Sequence, residues 1–248
     1  MAVQRHLRNA PIREGLINIQ YEPVSFEAIK AFSARIADGY GSSLDIWQAA
    51  IEFQLDGGGV PKNSRSPNGC RFDSPKSGPP HVVMAQTTSF TYSRLKPYVD
   101  WEELRDAAQV MWDLFTSVAK PQRVNRLAVR YVNVMDLPLE HGEEFSEYLH
   151  AAPIIPSGLP QAVSAFLQRV VMVDRDTGDK AIVMQALEEP AALTESPNIT
   201  VFLDIDAFKA RQLDAADPEI WNILDGLRNY KNKIFFEHIT EKTVEMFA

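Results

Sequence analysis

The sequence predicts an α+β protein, a mostly antiparallel sheet with helices on one face. Three observations predict it. Several segments alternate apolar and polar residues with the period of a half-buried strand, most clearly Gly15–Glu22 and Val124–Met135. Two segments, 26–37 and 101–118, carry apolar residues at helical spacing behind a capping residue. Their order through the first half, β-α-β-β-α-β, matches a ferredoxin-like or split βαβ unit. Helices gathered on one side of an antiparallel sheet define the α+β class.

Each element has its own local reason. In Gly15–Glu22, Leu16, Asn18 and Gln20 alternate with Ile17, Ile19 and Tyr21, and Pro23 ends the strand. Ser25 is placed to cap a helix over Phe26–Ala37, with Phe26, Ile29, Phe32 and Ile36 on one face. Leu44–Asp56 alternates as a second strand. Asp56–Pro80 then holds five Gly, five Pro and four Ser in twenty-five residues, and is expected to be a long, flexible, weakly basic loop. His81–Ser93 reads as one strand rich in Val and Thr, and Leu95–Tyr98 turns the chain. Asp100 caps the helix Trp101–Val118, with Glu103 completing a capping box.

After the strand Val124–Met135 comes a mixed stretch, Glu140–Ala162. It holds a short acidic helix near Glu143–Leu149 and then Pro153, Pro156, Gly158 and Pro160. It marks a boundary between an N-terminal lobe, 1–140, and a C-terminal lobe, 141–248, packed as one unit. The second half opens with a hairpin, Phe166–Asp174 and Lys180–Leu187, around the turn Asp176–Asp179. Ile199–Asp206 is a further strand. Asp217 and Pro218 start a helix carrying Ile220, Leu224 and Leu227, and a final helix is expected over Lys233–Phe247. The halves share a rhythm of hairpin, strand and Trp-bearing helix, which suggests two similar lobes.

Composition narrows the function. The chain has 248 residues with a net charge of −8, so non-specific binding along a nucleic-acid backbone is not expected. The single cysteine, Cys70, excludes an internal disulfide and suits a reducing compartment. No secretory leader follows the early arginines, and no apolar run is long enough to span a membrane. The expectation is a soluble, cytoplasmic protein. There is no GxSxG, P-loop, Rossmann GxGxxG or histidine-rich metal spacing, so no cofactor and no metal are expected.

The residues that carry chemistry are few. Arg126 and Arg130 lie four apart on a strand and face one way, as do Asp204 and Asp206. Charges among apolar neighbours need partners. The arginines either pair with these aspartates or bind an anionic ligand, phosphate or carboxylate, through bidentate contacts. Asp204-x-Asp206 alone is a weak Mg²⁺ or Mn²⁺ motif. Tyr92, Tyr98, Trp101 and Tyr131, with Arg94 and Lys96, form either a stacking surface for a base or a roof over the sheet. His238 is read as a solvated or capping histidine.

A series of short motifs runs through the chain: Asn9-Ala10-Pro11-Ile12-Arg13-Glu14, Leu95-Lys96-Pro97-Tyr98-Val99-Asp100-Trp101-Glu102, and Arg126 to Asn133. Leu203-Asp204-Ile205-Asp206, Lys231-Asn232, Phe236-Glu237 and Ile239-Thr240-Glu241 follow. In this order they resemble a sporadically distributed, functionally uncharacterised family of bacterial proteins of about this length. The resemblance implies an accessory role, such as a defence or toxin–antitoxin component, and no particular activity. The leading expectation is therefore a non-catalytic binding or sensor protein. The alternatives are an enzyme or phosphate-ligand-binding domain using Arg126, Arg130, Asp204 and Asp206, with Tyr98 and Trp101 as further ligand contacts, and an oligomeric interaction module. Its partner would be a small anionic ligand, another protein or a second copy.

Overall fold

The computed structural model describes residues 2–52, 62–75, 77–138, 144–161, 163–187 and 198–248. Strand β1 spans Ile12–Tyr21, and helix α1 spans Phe26–Ile36. The strands β2 (Ser42–Glu52), β3 (Lys62–Asp73), β4 (His81–Gln86) and β5 (Ser89–Leu95) follow. Then come α2 (Trp101–Ala119), β6 (Arg123–Pro138), β7 (Phe166–Val173), β8 (Lys180–Leu187) and β9 (Asn198–Asp214). Helices α3 (Glu219–His238) and α4 (Glu241–Met246) follow. The strands form one nine-stranded antiparallel sheet in the order β2-β3-β4-β5-β1-β6-β9-β8-β7. The protein is α+β, with its helices packed against this sheet.

Strand alternation decides which side is covered. Ile17, Ile19 and Tyr21 of β1, Leu127, Val129 and Tyr131 of β6, and Leu203, Ile205 and Ala207 of β9 all point under the helices and are buried. The intervening residues face away from them. One core cluster lies beneath α1 and α2, where Phe32 meets Phe115 edge-on at 5.1 Å and Trp112 stacks on Phe115 at 5.6 Å. A second lies beneath the C-terminal part of α3 and α4, around Met135, Leu203, Phe235 and Ile239. Tyr230 of α3 packs against both. No helix among the described residues is long and apolar enough to cross a membrane.

The helix starts behave as their sequences dictate. Ser25 Oγ accepts from the Ala28 amide at 3.2 Å, Asp100 Oδ1 from Glu103 at 2.7 Å, and Asp217 Oδ1 from Glu219 at 2.9 Å. Each satisfies an amide that the helix leaves without an internal partner. The capping box at Asp100 is only half made. The Glu103 carboxylate turns to the buried Arg94 and forms an ion pair with it.

Several segments differ from the expectation. Residues 62–73, assigned to the long loop, form β3, which pairs with β2 on one side and β4 on the other. The loop-like composition has a local cause. Pro67 sits at the register shift opposite Trp47, beyond the last residue paired with β4. Gly69 lies so close to β4 that a Cβ there would come within 2.8 Å of Gln86 Cα. Residues 53–56 of the expected second strand, and 56–61 and 76 of the expected loop, lie outside the described residues. His81–Ser93 is two strands folded back at Thr87 and Thr88, a turn that no Gly or Asn announces. β9 continues to Asp214 because β6 runs alongside it from Arg123.

The stretch expected as a short helix near Glu143–Leu149 has a single 3-10 turn, Phe145–Glu147, among its described residues. The expected final helix is divided differently. α3 is continuous through His238, whose Nδ1 meets the Ile234 carbonyl at 2.7 Å. Ile239 is then extended and bridges to Leu149, and Thr240 caps the short α4.

Candidate functional site

The arginine and aspartate pairs lie on the sheet face turned away from the helices. Arg126 Nη2 donates to Asp206 Oδ2 at 2.8 Å, and its guanidinium covers the Phe208 ring with 4.3 Å to the centroid. Arg130 grips Asp204 with two bonds, Nε to Oδ1 at 2.8 Å and Nη2 to Oδ2 at 2.5 Å. Each arginine reaches diagonally, since Arg130 lies opposite Asp206 and Asp204 lies opposite Val132. The hydrogen bonds to Asp204 push the Arg130 guanidinium further above its ordinary value. The pairing expected from strand parity is present. It also engages the guanidinium and carboxylate groups with one another, and none of the four residues lines the pocket between α2, α3 and β6. Among the described residues, no three His, Cys, Asp or Glu side chains gather to hold a metal.

The expected aromatic patch divides in two. Tyr92 stacks on His81, 5.5 Å between ring centres, and is buried. Tyr98 and Tyr131 meet elsewhere, their hydroxyls 2.7 Å apart. Trp101 is buried beside them, and its Nε1 donates to Asp225 of α3 at 2.7 Å, tying α2 to α3. These rings lie mainly within the fold and leave no exposed platform of four aromatics.

Tyr98, Trp101 and Tyr131 line a pocket of about 290 Å³ with Asn133, Arg228 and Lys231. Its walls are the turn after β5, the start of α2, the helix-facing side of β6, the middle of α3 and the N-terminal segment Gln4–Leu7. This volume sits at the small end of the range for organic ligands. Gly15 makes room for the tyrosines. A Cβ there would lie 2.9 Å from Tyr131 Cε1 and 3.1 Å from Tyr98 Cε2. Asn133 is held by donating from Nδ2 to the Leu203 carbonyl at 2.9 Å. Burial pushes the pKa of both Tyr98 and Tyr131 up, so both phenols keep their protons at neutral pH.

Lys231 is the unusual member. It is 6% exposed and makes no hydrogen bond or ion pair among the described residues. Its Nζ sits 3.7 Å from the centre of the Tyr131 ring. Burial, and then the charge of Arg228, lower its pKa from 10.5 to about 7. A buried charge without a carboxylate is costly, so the amine holds its proton less tightly. Arg228, one turn earlier on the same helix face, donates from Nη1 to Asn229 Oδ1 at 3.2 Å and makes no ion pair among the described residues. The sequence expectation placed Lys231 only within a short motif. The signal was nevertheless there: Lys231 continues the apolar stripe of Ile220, Leu224 and Leu227 toward Ile234 and Phe235, where a lysine breaks the pattern.

Cys70 and His238 do not join this pocket. Cys70 is buried on β3, with its Sγ 3.8 Å from Asp45 Oδ1, and burial raises its thiol pKa. No protein-family model matches the chain, and no curated protein matches it.

Proposed function

We propose that the protein binds a small organic anion in the pocket between α2, α3 and β6. The observation that carries this reading is Lys231, an unpaired amine buried in the wall of a pocket. Arg228 adds a second cationic group on the same helix. The aromatic rings of Tyr98, Trp101 and Tyr131 supply apolar surface for the body of the ligand. Bound negative charge would favour the protonated amine, so binding above pH 7 should draw a proton from solvent.

This reading extends the expected binding or sensor role and moves it away from the paired arginines and aspartates. We also read β1-α1-β4-β5-α2-β6 as a ferredoxin-like unit bearing β2 and β3 as an added hairpin. The neighbour order β6-β1-β5-β4 supports that reading.

The test is calorimetry with acetate, benzoate, pyruvate and inorganic phosphate, in two buffers of different ionisation enthalpy at about pH 8. At least one carboxylate should bind with proton uptake, and Lys231→Met should abolish the uptake. No binding by any of the four at millimolar concentration, or identical binding in folded Lys231→Met, would overturn the proposal.

A further inference from the structure

We propose that the pocket accepts a compact oxo acid and that Lys231 condenses with its carbonyl group to form an imine. This rests on the anion-pocket reading and names the ligand class. The geometry has three parts. The amine is buried in the wall of a pocket large enough for a small molecule. No carboxylate or carbonyl of the described residues holds it, so its lone pair is not hidden behind a salt bridge. Arg228 lies one turn away on the same face, placed to hold a carboxylate beside a carbonyl carbon presented to Lys231.

Chemically the step is self-contained. The neutral amine nitrogen attacks the carbonyl carbon, a C–N bond forms and the C=O π pair moves to oxygen. A proton passes from nitrogen to that oxygen, giving a carbinolamine. Loss of water breaks the C–O bond and leaves C=N, so water is the sole by-product and no oxidant or reductant is consumed. Desolvation beside another cation is a recognised way to ready a lysine for this role. Lys231 has both influences, burial first and Arg228 second. The protonated phenols of Tyr98 and Tyr131 line the same pocket and suit donation to the departing oxygen. The other titratable groups lining it are Asp100 and Glu102 at the start of α2, and Arg5 and His6 of the N-terminal segment.

The experiment is reductive trapping. The folded full chain is treated with pyruvate and sodium cyanoborohydride near pH 7, and adducts are mapped by peptide mass spectrometry. Lactate, which lacks the carbonyl, serves as the matched non-condensing anion. The expected result is one dominant reduced adduct on Lys231, formed about tenfold or more faster than on exposed Lys120, because an ordinary lysine is almost wholly protonated there. Lactate should compete with the labelling, and Arg228→Met should slow it. Pyruvate binding without an adduct on Lys231 would overturn the condensation and leave the anion pocket standing. Absence of both pyruvate binding and adduct would overturn the condensation, and the anion pocket falls with it if acetate, benzoate and phosphate also fail to bind. Adducts spread evenly over the lysines would overturn the condensation by themselves, with no variant needed.

Discussion

Lys231→Met preserves most of the length and volume of the side chain and removes its amine. The size of the effect follows from two pKa values, an ordinary 10.5 in the unfolded chain and about 7 in the folded protein. One pKa unit corresponds to about 1.4 kcal/mol, so folding is opposed by about 5 kcal/mol when the amine is charged in both states. Above pH 10.5 the amine is neutral in both states and that opposition is gone. Between pH 7 and 10.5 the unfolded chain binds the extra proton, so wild-type stability gains about 1.4 kcal/mol per pH unit from this group. Below the folded value the full opposition remains. Lys231→Met should therefore exceed the wild type by about 3–5 kcal/mol near pH 6, with the margin shrinking toward zero by about pH 10. Urea unfolding of both proteins at several pH values measures this, and the shared titratable groups cancel in the difference. A difference that stays flat across pH, or a variant less stable than wild type near pH 6, would refute the reasoning.

Gly15→Ala forces a Cβ against Tyr131 and Tyr98 and should cost about 1–3 kcal/mol, seen as a lower melting temperature with a changed near-ultraviolet tyrosine signal. An unchanged melting curve would show that the rings move aside freely. The Arg130 side chain is 42% exposed and that of Asp204 13%, so a cycle of Arg130→Met and Asp204→Leu should give a coupling of about 1 kcal/mol, with all three variants folded. Coupling indistinguishable from zero would mean that the pair does not hold in solution. Deleting Lys233–Ala248 removes buried Ile234, Phe235, Phe236, Ile239 and Val244, and should abolish cooperative melting. A soluble truncation with the wild-type transition would contradict the assigned core.

What could be read from the sequence tracks how strongly one physical signal dominated each segment. β1 and β6 alternate because one face is buried under helices and the other is not, so period and burial agree. The Arg126–Asp206 and Arg130–Asp204 contacts were foreseeable from parity alone. β3 was not, because among its described side chains only Cys70 and Phe72 are large and buried, and its proline and glycine serve a bulge and a close approach. Thr87 and Thr88 fold β4 onto β5 without the residues that usually advertise a tight turn. Tyr98 and Trp101, in the motif Leu95–Glu102, line the pocket. Lys231 shows in the sequence only as a break in an apolar helix face, and its meaning depends on whether a carboxylate faces it across the fold. That is settled by the packing of α3 on β6, which no local pattern encodes.

The pocket joins chain segments that ribosomal synthesis separates widely in time. Gln4–Leu7 emerges more than two hundred residues ahead of Arg228 and Lys231. β1 can meet β5 and β6 long before α3 exists, so the central pairings of the sheet can form around an open cleft. Closure waits until α3 docks and the segments around Asn9 and Phe247 lock together, through the Asn9 amide donating to the Phe247 carbonyl at 3.1 Å and the Arg5–Glu241 ion pair. The desolvation of Lys231 is thereby deferred until α3 has docked. A nascent chain halted before α3 would lack the buried amine, and with it the chemistry of the site, even with β1, β5 and β6 already paired.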